Sequence, residues 1–196
     1  QQVGDVLALL QRLGVEDNTI VFFTSDNGPQ PGAWRDIFVE FFDGAEGRRG
    51  AKGDFYEGGI RVPLIVRWPG RIKPGTVTDH LGYFPDVMPT LAELAGAAPA
   101  LPATDGISLV PTLLGQPGQK RHAFLYWEAA GPNQSVSQQA IRWDHWKAVR
   151  GRAAGDWELY DLRADRKEST NVATRHPDVV AQVKAWAASA RTPERK

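Results

Sequence analysis

The sequence contains no cysteine, no excess of charge of either sign and no long apolar run. Without cysteine, this chain forms neither disulfide bonds nor thiolate metal sites, and it carries no cysteine nucleophile. Its 23 basic and 23 acidic residues cancel, so no overall field favours nucleic acid or an anionic membrane as a partner. No stretch approaches the roughly 20 apolar residues that a membrane-crossing helix requires. Any recognition must therefore depend on local groups.

The chain begins with Gln1, and its first stretch lacks the basic start and the apolar centre of a signal peptide. We therefore interpret it as internal to a longer protein. Of its 196 residues, 42% are hydrophobic and 23% are charged, which is typical of a folded globular protein. This length fits one domain, or one domain with a small companion.

The first part of the chain alternates between helix-like and strand-like patterns. Apolar residues at helical spacing predict a helix from Gln1 to Gly14, where glycine is a typical stop. Residues 19–25 lack polar alternation, which indicates a strand covered on both faces, and residues 63–68 form a second strand-like run. Residues 86–95 have a helical pattern. Together these segments predict a parallel α/β sheet, in which ligands bind beyond the carboxyl ends of the strands.

The composition of the sequence changes at residues 116–118, a predicted Gln-Pro-Gly turn. Beyond it, short segments rich in Trp and Tyr are separated by turn residues, a pattern that predicts antiparallel strands. The segment 176–190 has helical spacing, with Asp178 in its first turn. We therefore predict two domains, residues 1–120 and 121–196, with a closing helix in the second.

Three polar residues of the first part are candidates for chemistry. Asp26 and Asn27 follow the first predicted strand and offer oxygen ligands that suit Ca²⁺ or Mg²⁺. The alternative is a simple turn, because Asp-Asn-Gly often forms one. Lys52 lies on a glycine-flanked loop, where its ammonium can approach a sulfate or phosphate closely. For Lys52 the alternative is a solvated basic loop.

Other polar and aromatic residues favour structural roles. Residues 57–59 (Glu-Gly-Gly), followed by Arg61, predict a turn with an Arg–Glu ion pair. The four histidines have no metal-ligand spacing, so each is interpreted as a surface or capping residue, although His80 lies near the predicted ligand-binding edge. Four tryptophans of the C-terminal part favour core packing over stacking on a sugar: Trp127, Trp143, Trp146 and Trp157.

Several segments in the same order and spacing resemble the later half of a type I sulfatase. They are 19–28 (TIVFFTSDNG), 50–72 (GAKGDFYEGGIRVPLIVRWPGRI) and 83–96 (YFPDVMPTLAELAG). Residues 140–150, 157–173 and 176–183 resemble the small C-terminal subdomain of arylsulfatase-like enzymes. Arg166 stands where that subdomain usually has proline, a change expected to affect only a surface turn. The resemblance covers nearly the whole chain.

The resemblance implies an alkaline-phosphatase-like α/β sheet sandwiched by helices, plus a small C-terminal antiparallel sheet with a closing helix. It implies hydrolysis of sulfate esters through a formylglycine nucleophile and a bound Ca²⁺. By motif match, Asp26 and Asn27 are metal ligands and Lys52 contacts the sulfate, while His80 is a further candidate for substrate binding. The family resemblance suggests an exported or periplasmic protein. Aryl sulfates, sulfated glycans and choline sulfate all stay open as substrates.

Part of such a site is missing from the sequence. The Cys/Ser-x-Pro/Ala-x-Arg motif that carries the family's nucleophile is absent, and the early aspartate pair and the histidine motif would precede Gln1. The resemblance therefore implies a C-terminal portion that needs the N-terminal half of its catalytic domain and is inactive alone. The alternatives are a phosphatase or phosphonate hydrolase of the same superfold, and a non-catalytic carbohydrate- or partner-binding remnant.

Overall fold

The computed structural model describes residues 1–34, 36–130, 136–151 and 155–190. The helices are α1 (Gln2–Arg12), α2 (Glu57–Ile60), α3 (Val87–Leu94), α4 (Val110–Leu113) and α5 (Pro177–Ala190). The strands are β1 (Val21–Thr24), β2 (Leu64–Arg67), β3 (Leu125–Ala130), β4 (Val136–Trp143), β5 (Trp146–Arg150) and β6 (Glu158–Asp161). Within the described ranges, no helix is long and apolar enough to cross a membrane.

The chain divides into two compact units. Unit 1 comprises Gln1–Ser25 and Pro63–His122, and unit 2 comprises Asp26–Val62 and Ala123–Lys196. The segment that carries Asp26 and Lys52 is thereby grouped with the C-terminal part of the chain. The two predicted domains, residues 1–120 and 121–196, stay a prediction.

Unit 1 begins with the predicted helix and strand. After α1 ends, Gly14 adopts φ +66°, a left-handed conformation that glycine reaches without a Cβ clash. The prediction of a parallel pairing is wrong, because β1 and β2 run antiparallel, with Val21 opposite Arg67. A parallel neighbour requires a long crossover, which is usually a helix packed on the sheet. The described part of the connection between these strands contains no α-helix longer than α2.

The prediction that β1 is covered on both faces is also wrong for this chain. Phe23 is 46% exposed, and on β2 Leu64 and Ile65 are 50% and 60% exposed. Surfaces this rich in apolar side chains are typical of faces that another segment or chain covers. Unit 1 exposes further large apolar side chains on α1, directly after it and on α3, including Val3, Val6, Leu9, Leu13, Met88 and Leu91.

The predicted helix of unit 1 is confirmed as α3, and Asp86 ties it to the rest of the unit. Pro89 lies in its first turn, where the missing N–H removes no intrahelical hydrogen bond. The fully buried carboxylate of Asp86 accepts hydrogen bonds from the backbone N–H groups of Tyr83 at 3.0 Å and Ile107 at 2.7 Å. His122 Nε2 lies 2.8 Å from the same carboxylate. His122 is therefore a buried structural partner, which corrects its interpretation as a surface residue.

Unit 2 contains the predicted antiparallel sheet, in the order β3-β4-β5-β6. The closing helix is confirmed as α5. Its buried residues Val183 and Ala187 join the core beneath the sheet, which also contains Ile141, Ala148, Trp157, Leu159 and Val172. Trp143 and Trp146 pack against this core, as predicted for the C-terminal tryptophans. The unit thus has a hydrophobic core of its own.

Candidate active site

The candidate residues of unit 2 lie on two loops. Loop A, residues 26–29, follows β1 and carries Asp26 and Asn27. Loop B, residues 49–54, carries Lys52 and leads toward α2. Loop A, loop B and α2 lie directly against one another.

Backbone hydrogen bonds hold these three segments together. The N–H of Gly28 in loop A donates to the carbonyl oxygen of Gly59 in α2 at 2.9 Å. The N–H of Lys52 in loop B donates to the carbonyl oxygen of Pro29 in loop A at 2.9 Å. The structure therefore brings the loop of Lys52 against the loop of Asp26 and Asn27, although Lys52 lies 26 and 25 residues further along the sequence.

Glycine is required where the three backbones meet. A Cβ on Gly28 would lie 1.9 Å from the carbonyl oxygen of Gly58. On Gly58 it would lie 2.5 Å from the carbonyl oxygen of Arg49, and on Gly59 it would lie 2.1 Å from that of Asp54. These approaches are far inside van der Waals contact. The Glu-Gly-Gly motif is thus a packing requirement that lets α2 lie on loop B, a role that sequence analysis missed.

Glu57 is the buried anchor of α2. Its Oε1 accepts a hydrogen bond from the fully buried Lys147 Nζ at 3.0 Å, and Arg142 Nε lies 3.9 Å from the same oxygen. The predicted pair with Arg61 is present, with 3.6 Å between Nη1 and Oε2. Burial acts to raise the pKa of Glu57, but attraction to Lys147 and Arg142 holds that pKa below its ordinary value. An ionised Glu57 therefore fixes α2 to β4 and β5.

Glu168, after β6, completes this buried cluster. Its Oε2 accepts a hydrogen bond from the backbone N–H of Glu57 at 2.7 Å. Its Oε1 is buried and has no hydrogen-bond partner among the described residues. Burial raises the pKa of Glu168 to about 7, against the opposing attraction of Lys147.

The raised pKa of Glu168 predicts that stability falls as the pH rises. Between the ordinary pKa of 4.5 and the folded-state pKa of about 7, the folded state binds more protons than the unfolded state. The contribution is fully present below pH 4.5 and is lost as the pH rises through 7, about 3 kcal/mol in all. Glu168→Gln, which stays neutral, should remove this slope. Urea unfolding between pH 4.5 and 8 measures it, and equal slopes in both proteins would contradict the assignment.

The candidate side chains of loops A and B are only partly packed in this chain. Asp26 and Lys52 are exposed, and Asn27 is half-buried with its Nδ2 donating to the carbonyl oxygen of Gly28 at 3.1 Å. A carboxylate and an amide oxygen side by side are hard ligands that suit Ca²⁺, which prefers six to eight oxygens. No three His, Asp or Glu side chains in the described ranges are arranged to hold a metal. These two residues therefore fit part of a Ca²⁺ site.

His80 lies in unit 1. Its ring is half-buried, and burial together with the nearby Arg121 lowers the pKa of His80 below its ordinary value. Its Nε2 has no hydrogen-bond partner within the described part of the chain. Its role in substrate binding stays a prediction.

Two protein-family models match the chain. The first, described as Sulfatase, matches residues 1–97, and the second, described as N-sulphoglucosamine sulphohydrolase, C-terminal, matches residues 51–191. The chain belongs to the sulfatase family. The first match contains loops A and B, and the second contains the sheet and closing helix of unit 2.

Known sulfatases resemble this sulfatase chain over most of its length. It is 40% identical to mouse steryl-sulfatase over 75% of the chain and 23% of that protein. It is 34% identical to human arylsulfatase A over 93% of the chain and 39% of that protein. A solved structure of a 2-O GAG sulfatase superimposes with a TM-score of 0.76 at 30% identity, over 96% of this chain and 39% of that one. The sulfatase fold, of the alkaline-phosphatase-like class, is thereby confirmed, and the chain spans well under half of these relatives.

The residues that hold loop B and α2 of this sulfatase chain in place were not predicted from its sequence. Lys147 and Glu168, from the C-terminal part of the chain, both form hydrogen bonds with Glu57 of α2. Arg49 of loop B forms one with Tyr160 of the C-terminal part. One signal was available for Lys147. In the sequence it stands among Trp146, Ala148 and Val149 in a strand-like run, and a lysine buried in such a strand requires a carboxylate partner.

Proposed function

We propose that this chain is the C-terminal portion of an enzyme that hydrolyses sulfate esters. The observation that carries the proposal is the hydrogen bond between loops A and B, because it joins an oxygen-ligand pair to a lysine. Lys52 would bind the sulfate group and stabilise the negative charge that develops on the leaving oxygen. Asp26 and Asn27 would hold Ca²⁺, which supplies Lewis-acid polarisation of the sulfuryl group when bound.

The family relationship supports the reaction class and leaves the substrate open. The relatives include proteins named steryl-sulfatase and arylsulfatase A and a solved 2-O GAG sulfatase, so their names span steroid, aryl and glycan substrates. A shared fold does not choose among such substrates. We therefore propose a sulfated small molecule or a sulfated glycan.

The chain on its own should be inactive. Its sequence holds no cysteine and no serine in a Cys/Ser-x-Pro/Ala-x-Arg motif, so the formylglycine nucleophile would come from the remainder of the protein. We propose that the exposed apolar side chains of unit 1, such as Phe23 and Ile65, pack against that remainder. Residues 1–196 alone should therefore give no turnover.

Hydrolysis of an aryl sulfate by the whole protein tests this function. We expect turnover of the aryl sulfate to exceed that of the matched aryl phosphate, and EDTA to abolish it until Ca²⁺ is restored. A preference for the phosphate would favour the phosphatase alternative. Glycan binding without any turnover would favour the non-catalytic alternative.

Replacing Asp26 should weaken calcium binding and activity together. Asp26→Ala removes the only carboxylate of loop A, and we expect the calcium affinity to fall by at least the roughly 10- to 100-fold that loss of an outer partner of a metal ligand costs. Asp156→Ala, which removes an exposed carboxylate just before β6, is the matched control and should bind Ca²⁺ as the wild type does. Calorimetric titration of the metal-free whole protein measures both. Unchanged binding in Asp26→Ala would leave the interpretation of loop A as a simple turn.

A further inference from the structure

Arg49 connects loop B to the C-terminal sheet. Its Nη1 donates to the hydroxyl oxygen of Tyr160 on β6 at 2.9 Å and to the carbonyl oxygen of Glu168 at 3.1 Å. Its guanidinium carbon lies 3.7 Å from the centre of the Tyr56 ring. Tyr160 and Glu168 are 111 and 119 residues away along the chain. This side chain therefore joins the start of loop B to a distant part of the sequence.

The carboxylate of Glu158 orients the two tyrosines around Arg49. The hydroxyl of Tyr56 donates to Glu158 Oε2 at 2.7 Å, and the hydroxyl of Tyr160 donates to the same oxygen at 2.5 Å. Because the hydroxyl hydrogen of Tyr160 is directed to Glu158, a lone pair of the same oxygen accepts the hydrogen bond from Arg49. Burial and this carboxylate raise the pKa of Tyr56 to about 12, so Tyr56 remains a donor at neutral pH.

The hydrogen-bonded backbone of loop B connects Arg49 to Lys52. The carbonyl oxygen of Arg49 accepts a hydrogen bond from the N–H of Gly58 at 2.8 Å. A tight turn follows, in which the N–H of Ala51 donates to Asp54 Oδ2 at 3.0 Å and the N–H of Asp54 donates to the carbonyl oxygen of Ala51 at 2.9 Å. Lys52 lies within that turn. A shift of Arg49 would therefore displace the backbone from which the Lys52 side chain extends.

We propose that Arg49 is a positioning residue for Lys52, through which the C-terminal sheet fixes the place of the sulfate-binding lysine. The proposal rests on the function proposed above. A misplacement of about 1 Å at a reacting group costs about 100-fold in rate. The planar guanidinium suits this task, because it stacks on Tyr56 while donating to two acceptors, and a lysine ammonium cannot do both.

Kinetics of the whole protein on an aryl sulfate test the proposal. Arg49→Met should lower kcat about 10- to 100-fold, and Arg49→Lys should recover only a small part of that loss. Arg163→Met is the matched control. It removes an exposed arginine that pairs with Asp144 at 3.2 Å, and its kcat should equal that of the wild type. A wild-type kcat in Arg49→Met would overturn the proposal.

A double-substitution cycle separates positioning from a general structural effect. If Arg49 acts through Lys52, Arg49→Met should reduce kcat less than twofold further when Lys52 is already alanine. An equal loss in both backgrounds would overturn the proposal.

Hydrogen exchange gives a readout that does not depend on turnover. The amides of Ala51, Lys52 and Asp54 should exchange at least about tenfold faster in Arg49→Met, because their hydrogen bonds open more often. Those of Ile141 and Ala148 in the sheet should not change. If the wild type hydrolyses no sulfate ester, the proposed function fails, and this experiment still tests the anchoring. Unchanged exchange at loop B would overturn it.

Discussion

Substitution of Lys52 by alanine should lower kcat for a sulfate ester about 100- to 1,000-fold, as expected when a preorganised charge at the leaving oxygen is lost. The side chain is exposed in this chain, and its loop is held by the backbone N–H of Lys52, which alanine keeps. The protein should therefore retain its stability while losing turnover. Measurement of kcat together with the midpoint of urea unfolding separates these two effects.

Two further variants define what the lysine contributes. Lys52→Arg keeps the positive charge but replaces a compact ammonium by a planar fork of different reach, so we expect poor recovery of kcat. Lys73→Ala removes an exposed lysine from a surface turn of unit 1 and should leave kcat unchanged. Full activity in Lys52→Ala would show that loop B is the solvated basic loop of the alternative interpretation.

Substitution of Lys147 by methionine should lower the free energy of unfolding by about 3–5 kcal/mol, the usual cost of leaving a buried charge without its partner. Lys147 is fully buried, and its Nζ lies 3.0 Å from Glu57 Oε1. Without it, Glu57 must either keep a charge that only the longer pairs with Arg61 at 3.6 Å and Arg142 at 3.9 Å offset, or take up a proton. Either response weakens the attachment of α2 to β5. Urea unfolding followed by tryptophan fluorescence measures the change.

A second substitution identifies the cause of this loss. Adding Glu57→Gln to Lys147→Met removes the buried charge that has lost its closest partner, so the double variant should be more stable than Lys147→Met alone. Lys167→Met, at an exposed position after β6, should change the free energy of unfolding by no more than about 0.5 kcal/mol. Equal losses in Lys147→Met and Lys167→Met would rule out the buried pair as a source of stability.

Local patterns correctly predicted most elements of this chain. The helix before Gly14, the helix α3 and the closing helix α5 each follow from apolar spacing and end signals within a single segment. The strands of unit 2 follow from short aromatic runs between turns. The direction of β2 could not be obtained in this way, because an apolar run has the same pattern in parallel and antiparallel pairs. The prediction for β1 and β2 failed for that reason.

The sequence by itself determined the family and the loops that carry Asp26, Asn27 and Lys52, because each motif is a short run of adjacent residues. Only the tertiary structure decided what holds those loops. The contacts of Glu57 with Lys147 and of Arg49 with Tyr160 join residues 90 and 111 positions apart. The need for glycine in the Glu-Gly-Gly motif is explained only by the backbone of loop B that packs against it. Contacts between residues so far apart in sequence depend on the tertiary path of the chain, and the local periodicity of the sequence does not determine that path.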